Sequence, residues 1–305
     1  MRELYRAVWR VSGREQVFLV VLALLVAGLA SVPLRFQQLA INGLVERPDV
    51  RALAWNCAGF VGAILLSAAL KFVLGLRLSL VGERVVRLIR ERLYTNLVDD
   101  VARDPAAAAQ RGRILAMLNA EAELVGSFAG AAVASPLLQV GTLASVIAFI
   151  AASQPLLGLV ALVVVLPQAG IVVALQHRIN ERVRSRVQSL RDVSDRIGGG
   201  DLARIDDAVL ADFQNVLETR RAIFGLKLSS KFALGALSAF GKLGILFLGG
   251  WFVLRGATDV GTVVASLTGL SRIEGPWRDL VAFYRMASTV RVKYAMLLPA
   301  IASRG

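Results

Sequence analysis

Six apolar runs, at residues 17–45, 53–76, 124–152, 155–176, 232–255 and 260–287, are joined by connections of two very different lengths. The polar stretches 77–123 and 177–231 are long, whereas 46–51, 153–154 and 255–259 are tight turns. Each run is near or above the ~20 residues that a helix needs to cross a ~30 Å hydrocarbon layer. A chain with this rhythm must thread the bilayer repeatedly and place two large polar excursions on one side of it.

The 305 residues are 56% hydrophobic, above the ~45–50% of soluble domains. Runs such as Val17–Leu29, Leu156–Leu166 and Ile245–Leu254 are apolar all round, where a helix on a soluble core would be apolar on one stripe. Inside hydrocarbon each backbone polar group must be paired within its own segment, so the runs are helices. The sequence therefore reads as an all-α membrane protein, with six transmembrane helices and two long helical hairpins.

The net charge of +13 is mostly topological. Arginines precede the first run and crowd both long stretches, while the turns hold only Arg47, Arg51 and Arg255. Lys and Arg are retained on the cytoplasmic side. Both termini and both hairpins are thus expected in the cytoplasm, as in a multi-pass protein of a bacterial inner membrane. Neither long stretch interleaves aromatics with its charges or carries a recognition motif, which argues against nucleic acid as a partner.

Three regions follow. Residues 1–16 place Leu4, Tyr5, Val8 and Trp9 on one helical face and Arg2, Arg6 and Arg10 on another, the pattern of an amphipathic elbow in the headgroup layer. Residues 17–300 form the six-helix domain, and 301–305 are a tail. The lone Cys57 excludes an internal disulfide. His177, the only histidine, has no acidic or thiol neighbour, so no metal site is expected.

The long stretches carry their own order. Val85, Leu88, Ile89 and Leu93 recur at helical spacing, as do Ile179, Val183, Val187 and Leu190. Each stretch reverses near a breaker, Asp104-Pro105 in the first and Gly198-Gly199-Gly200-Asp201 in the second.

Short motifs occur in a telling order. Arg90-Glu91-Arg92-Leu93-Tyr94 leads to Gly112, Leu115, Asn119, Glu121 and Glu123, and Gly261-Thr262-Val263-Val264-Ala265 precedes Gly275-Pro276-Trp277. With the loop rhythm, these residues make the chain similar to the transmembrane domain of an ATP-binding cassette exporter, over nearly its whole length. Met117 stands where that family often has Arg, and Ala106–Ala109 where it often has two aromatics. The resemblance implies the type-1 exporter fold. It implies that the hairpin tips are coupling helices seated on nucleotide-binding domains, through Pro105, Gln110, Arg111, Gly112 and Arg113 in the first tip. In the second the corresponding residues are Asp201, Leu202, Arg204, Ile205 and Asp206.

The sequence contains no Gly-x-x-x-x-Gly-Lys-Ser/Thr loop. The nearest approach, Gly235 to Gly241-Lys242-Leu243, has one residue too many between the glycines, lacks the hydroxyl and lies in an apolar run. The chain is therefore expected to be a permease without ATPase activity of its own. ATP and Mg would bind a separate ATPase subunit, and a second membrane subunit, identical or related, would complete the assembly.

Charges inside the runs point to cargo. Arg35, Lys71, Lys242, Arg272 and Glu274 lie in or near the hydrocarbon zone, where a charge costs ~2.5–3.5 kcal/mol on insertion scales and so faces a cavity or a partner. Arg272 and Glu274 can offset each other. Lys242, halfway along its run, together with Arg272, Arg35, Gln37 and Gln38, suggests a pathway for an anionic or amphipathic substrate such as a lipid, peptide or drug-like molecule. Two alternatives remain at this point. A channel or secondary carrier would show broken spans, a filter loop or a membrane carboxylate, of which the sequence offers only Glu274. A membrane scaffold or sensor would use the hairpins to recruit a cytosolic protein.

Overall fold

The computed structural model describes residues 2–46, 49–103, 117–199 and 207–301, and these are almost wholly helical. In order they form α1 (Arg2–Leu29), α2 (Val32–Glu46), α3 (Val50–Arg103) and a single π-helical turn (Met117–Glu121). Then come α4 (Ala122–Ala131), α5 (Ala134–Ser153), α6 (Pro155–Gly199), α7 (Asp207–Leu254), α8 (Val260–Arg272) and α9 (Glu274–Ile301).

Prolines explain the divisions within the apolar runs. A proline ring clashes with the carbonyl four residues earlier and donates no hydrogen bond, but it is tolerated in a helix's first turn. Pro33 falls in the first turn of α2, Pro136 in that of α5 and Pro276 in that of α9, and the preceding helices end at Leu29, Ala131 and Arg272. The first, third and last runs are thus broken helices, contrary to the reading of unbroken spans from sequence. Helix α6 carries a proline in its interior, Pro167, without dividing.

Five stretches among the described residues are long and apolar enough to cross a membrane: Gly13–Glu46, Val50–Asp99, Ala122–Ser153, Pro155–Leu175 and Val209–Leu254. The run at 260–287 is not one of them. The break at Ile273 leaves a helix of 13 residues followed by one that opens with Glu274, Arg278 and Asp279. Residues 2–16 belong to the same helix as the first span, α1.

Helices α3, α6 and α7 have 54, 45 and 48 residues. At 1.5 Å per residue they reach roughly 65–80 Å, more than twice the hydrocarbon thickness. Helix α6 packs along α7, whereas α3 packs on α4. A core of Val85, Ile89, Leu93, Val125, Val290 and Leu297 joins α3, α4 and α9. Phe128 stacks on Phe283 there at 5.6 Å. The π turn is tied into this bundle from both sides. Lys293 of α9 pairs with Glu121 at 2.7 Å, and Arg90 of α3 donates to the Leu118 carbonyl at 3.0 Å.

Helices α3 and α4 touch backbone to backbone. A Cβ on Gly130 would strike the Leu78 carbonyl and lie 3.1 Å from the Gly82 nitrogen, and neither is a group that can swing aside. Gly130→Val should therefore lower stability by about 1–3 kcal/mol, the cost of overpacking a rigid contact. Gly170→Ala, in open space on α6, should leave stability unchanged or raise it by up to ~1 kcal/mol. Unfolding of the two variants in detergent checks both.

Candidate functional site

Arg35, Gln37 and Gln38, polar residues that the sequence places inside an apolar run, lie where α2 meets α8. Gln38 is buried, accepts from Arg35 Nη1 at 2.7 Å and donates through Nε2 to Thr262 Oγ1 at 2.6 Å. One residue earlier, Gln37 Nε2 donates to Thr268 Oγ1 at 3.0 Å. Nearer the turn, the Gly261 N–H donates to Asn42 Oδ1 at 2.8 Å. Gly261 is required there, since any Cβ would strike Asn42 Oδ1 and the Gln38 carbonyl.

Asp259 closes this cluster at its turn-side end. It is the N-cap of α8 and accepts from the Thr262 N–H at 2.6 Å, satisfying a helix N–H that has no partner within the helix. Partial burial pushes its pKa up, but hydrogen bonds from the Thr262 side chain and N–H, Asn42 and Gln38 outweigh that and hold the carboxyl below its ordinary 3.8.

Helix lengths place three cations at one level. Arg35 lies 11 residues from the turn-side end of α2, and Lys242 and Arg272 each lie 12 from the corresponding ends of α7 and α8. All three are therefore about 17–18 Å from that boundary, near the middle of a ~30 Å layer. By the same measure the break at 273 lies about 20 Å from that boundary and the break at 30–31 about 23 Å. Breaking a helix in hydrocarbon leaves carbonyls needing donors. Around the first break, the Gly28 carbonyl accepts from the hydroxyls of Ser31 and Ser145, both at 3.4 Å.

Glu274, the acid of this layer, does not pair with its sequence neighbour Arg272. Its carboxylate lies 3.6 Å from Lys242 Nζ and accepts from Ser238 Oγ at 2.8 Å, linking α9 to α7. Lys242 is thereby offset, while Arg272 is half-buried and has no carboxylate within ion-pair distance in the described residues. Gln37 Oε1, Ser266 Oγ and Trp277 Nε1 are likewise buried without a hydrogen-bond partner. The last two carried no signal in the sequence, since a serine or tryptophan in an apolar run is unexceptional. The expected coupling residues, Pro105, Gln110, Arg111, Gly112 and Arg113 with Asp201, Leu202, Arg204, Ile205 and Asp206, lie outside the described residues.

The family model of the ABC transporter transmembrane region matches residues 17–197, more than half of the chain and all of the helices from the first span into α6. The chain belongs to that family. No curated protein matches it. It is a multi-pass membrane component of an ABC transporter, an exporter-type transmembrane domain that is a permease part and not itself a catalyst. Domains of this kind associate with an ATPase domain or subunit. The channel and secondary-carrier readings give way to this one.

The charge on Asp259 stabilises the α2–α8 contact, with a sign that pH reveals. Its pKa is lower folded than unfolded, so the contribution is complete above the ordinary value of 3.8 and is lost as pH falls through the folded value. Asp259→Asn keeps a competent cap and removes the charge. The variant should melt below the parent at neutral pH, and the gap should close on acidification below about 3.8.

Proposed function

We propose that the chain is the membrane-spanning permease subunit of an ATP-driven exporter, with six spans, both termini and both hairpins in the cytoplasm of a bacterial inner-membrane protein. The observation that carries this reading is the pairing of a polar mid-membrane layer with helices that run far beyond the bilayer. A continuous helix is stiff, so a shift of several Å at its outer tip must be felt at the level of Arg35, Lys242 and Arg272. A separate ATPase subunit, holding ATP and Mg, would move the tips at 104–113 and 201–209.

A second membrane subunit fits the surface of α7. Leu210, Phe213, Leu217, Phe224 and Leu228 are exposed, and their spacing puts them on one face of that helix beyond its apolar run. Such a stripe is suited to another helix rather than to water. Purification from native membranes tests the whole assembly. A stoichiometric ATPase should accompany the chain, and a preparation that transports without any nucleotide-hydrolysing subunit would defeat the proposal.

The route for cargo is lined by Arg35, Gln37, Gln38, Lys242, Arg272 and Glu274, and its excess of cations favours an anionic or amphipathic molecule. Because Glu274 offsets Lys242, Arg272 is the cation most available to cargo. In the reconstituted complex, Arg272→Gln should shift the dose response of ATPase stimulation by anionic amphipaths at least about tenfold, the loss of one charge-assisted hydrogen bond. Lys242→Gln should shift it less, and cationic amphipaths should be unaffected by either change. Equal responses to all three proteins would remove these residues from the route.

A further inference from the structure

The mid-membrane layer leaves unused a second group of cations, on α1 and α3 where the first two apolar runs meet the long-loop side. We propose that the seam between these helices binds one anionic phospholipid from the leaflet on the N-terminal side.

The charges there do not balance. Arg84 is bonded to Glu15, which occupies that carboxylate. Arg77 is exposed and rests its guanidinium 5.9 Å from the centre of the Phe18 ring, without an acidic partner among the described residues. Arg14 is exposed and likewise unpaired among the described residues. It lies four residues before Phe18, on the same face of α1. Arg77 thus sits over Phe18 and Arg14 lies one helical turn away, with no counter-charge among the described residues.

Their depth selects the occupant. Arg77 directly follows the run 53–76, and Arg14 lies three residues before the run 17–45, so both sit near the boundary where lipid phosphates lie. From there toward the membrane centre, Phe18 and Val21 of α1 and Val73 of α3 are exposed at 51%, 51% and 39%, a rail for an acyl chain. A guanidinium presents a planar fork of donors that matches phosphate oxygens. A soluble anion would gain nothing from the rail, and a zwitterionic lipid would bring its own cation against the pair. A phospholipid with net negative charge satisfies both halves of the seam.

The site is distinct from the cargo route, and its test does not depend on transport. The full chain, with whatever subunits purify with it, is placed in nanodiscs of equal phosphatidylglycerol and phosphatidylcholine. Lipids retained on release are then counted by native mass spectrometry. Wild type should hold phosphatidylglycerol in preference, and each of Arg14→Gln and Arg77→Gln should reduce that preference about fivefold, the effect of one cation at an anionic surface. Arg14→Lys and Arg77→Lys keep the charge and should retain most of it. Arg178→Gln, which removes an exposed cation just beyond the run 155–176, should change nothing. Three results would overturn the site: equal retention of the two lipids by wild type, an unchanged preference in the Gln variants, or an equal loss in Arg178→Gln, which would mean a diffuse surface field.

Discussion

No water reaches the backbone within hydrocarbon, and the arrangement of this protein follows from how it meets that constraint at three prolines. Pro33, Pro136 and Pro276 each deny a helix its next hydrogen bond. The carbonyls so exposed cannot turn to solvent, and near the first break the neighbouring helix supplies the donor, Ser145 to Gly28. The breaks therefore bind helices to one another, and they bring polar side chains to a depth where polar groups are otherwise excluded.

The polar layer at α2 and α8 shows the same economy. Gln38 both receives from Arg35 and gives to Thr262, so a buried carboxamide serves as a relay between helices. Gly261 permits the approach, since only a residue without a Cβ lets Asn42 reach its N–H. Across the layer, Glu274 answers Lys242 and Ser238 together. A lone cation at this depth would cost ~2.5–3.5 kcal/mol on insertion scales, and a shared carboxylate reduces that cost for Lys242 while Arg272 keeps its charge for another partner.

Much of this was legible in the sequence, but unevenly. Apolar runs without a polar face announced membrane helices, and the spacing of Val85, Ile89 and Leu93 announced that α3 continues past the bilayer into a packed bundle. The breaks were missed, although prolines whose rings forbid the preceding turn mark them, because hydropathy averages over them. The Lys242–Glu274 pair was not legible. Arg272 is nearer in sequence, but the break at Ile273 puts it and Glu274 on different helices, and the approach of α7 to α9 decides the partner.

Broken and unbroken helices both occur along the chain. Neither α3 nor α7 contains a proline along its 54 or 48 residues, whereas the breaks at 30–31, 132–133 and 273 are single joints between helices. Strain applied anywhere along the stiff members has few places to be absorbed. The molecule thus behaves as a linkage with a small number of angular degrees of freedom. Its large rearrangements would be rotations about those three joints, with the bodies between them nearly undeformed.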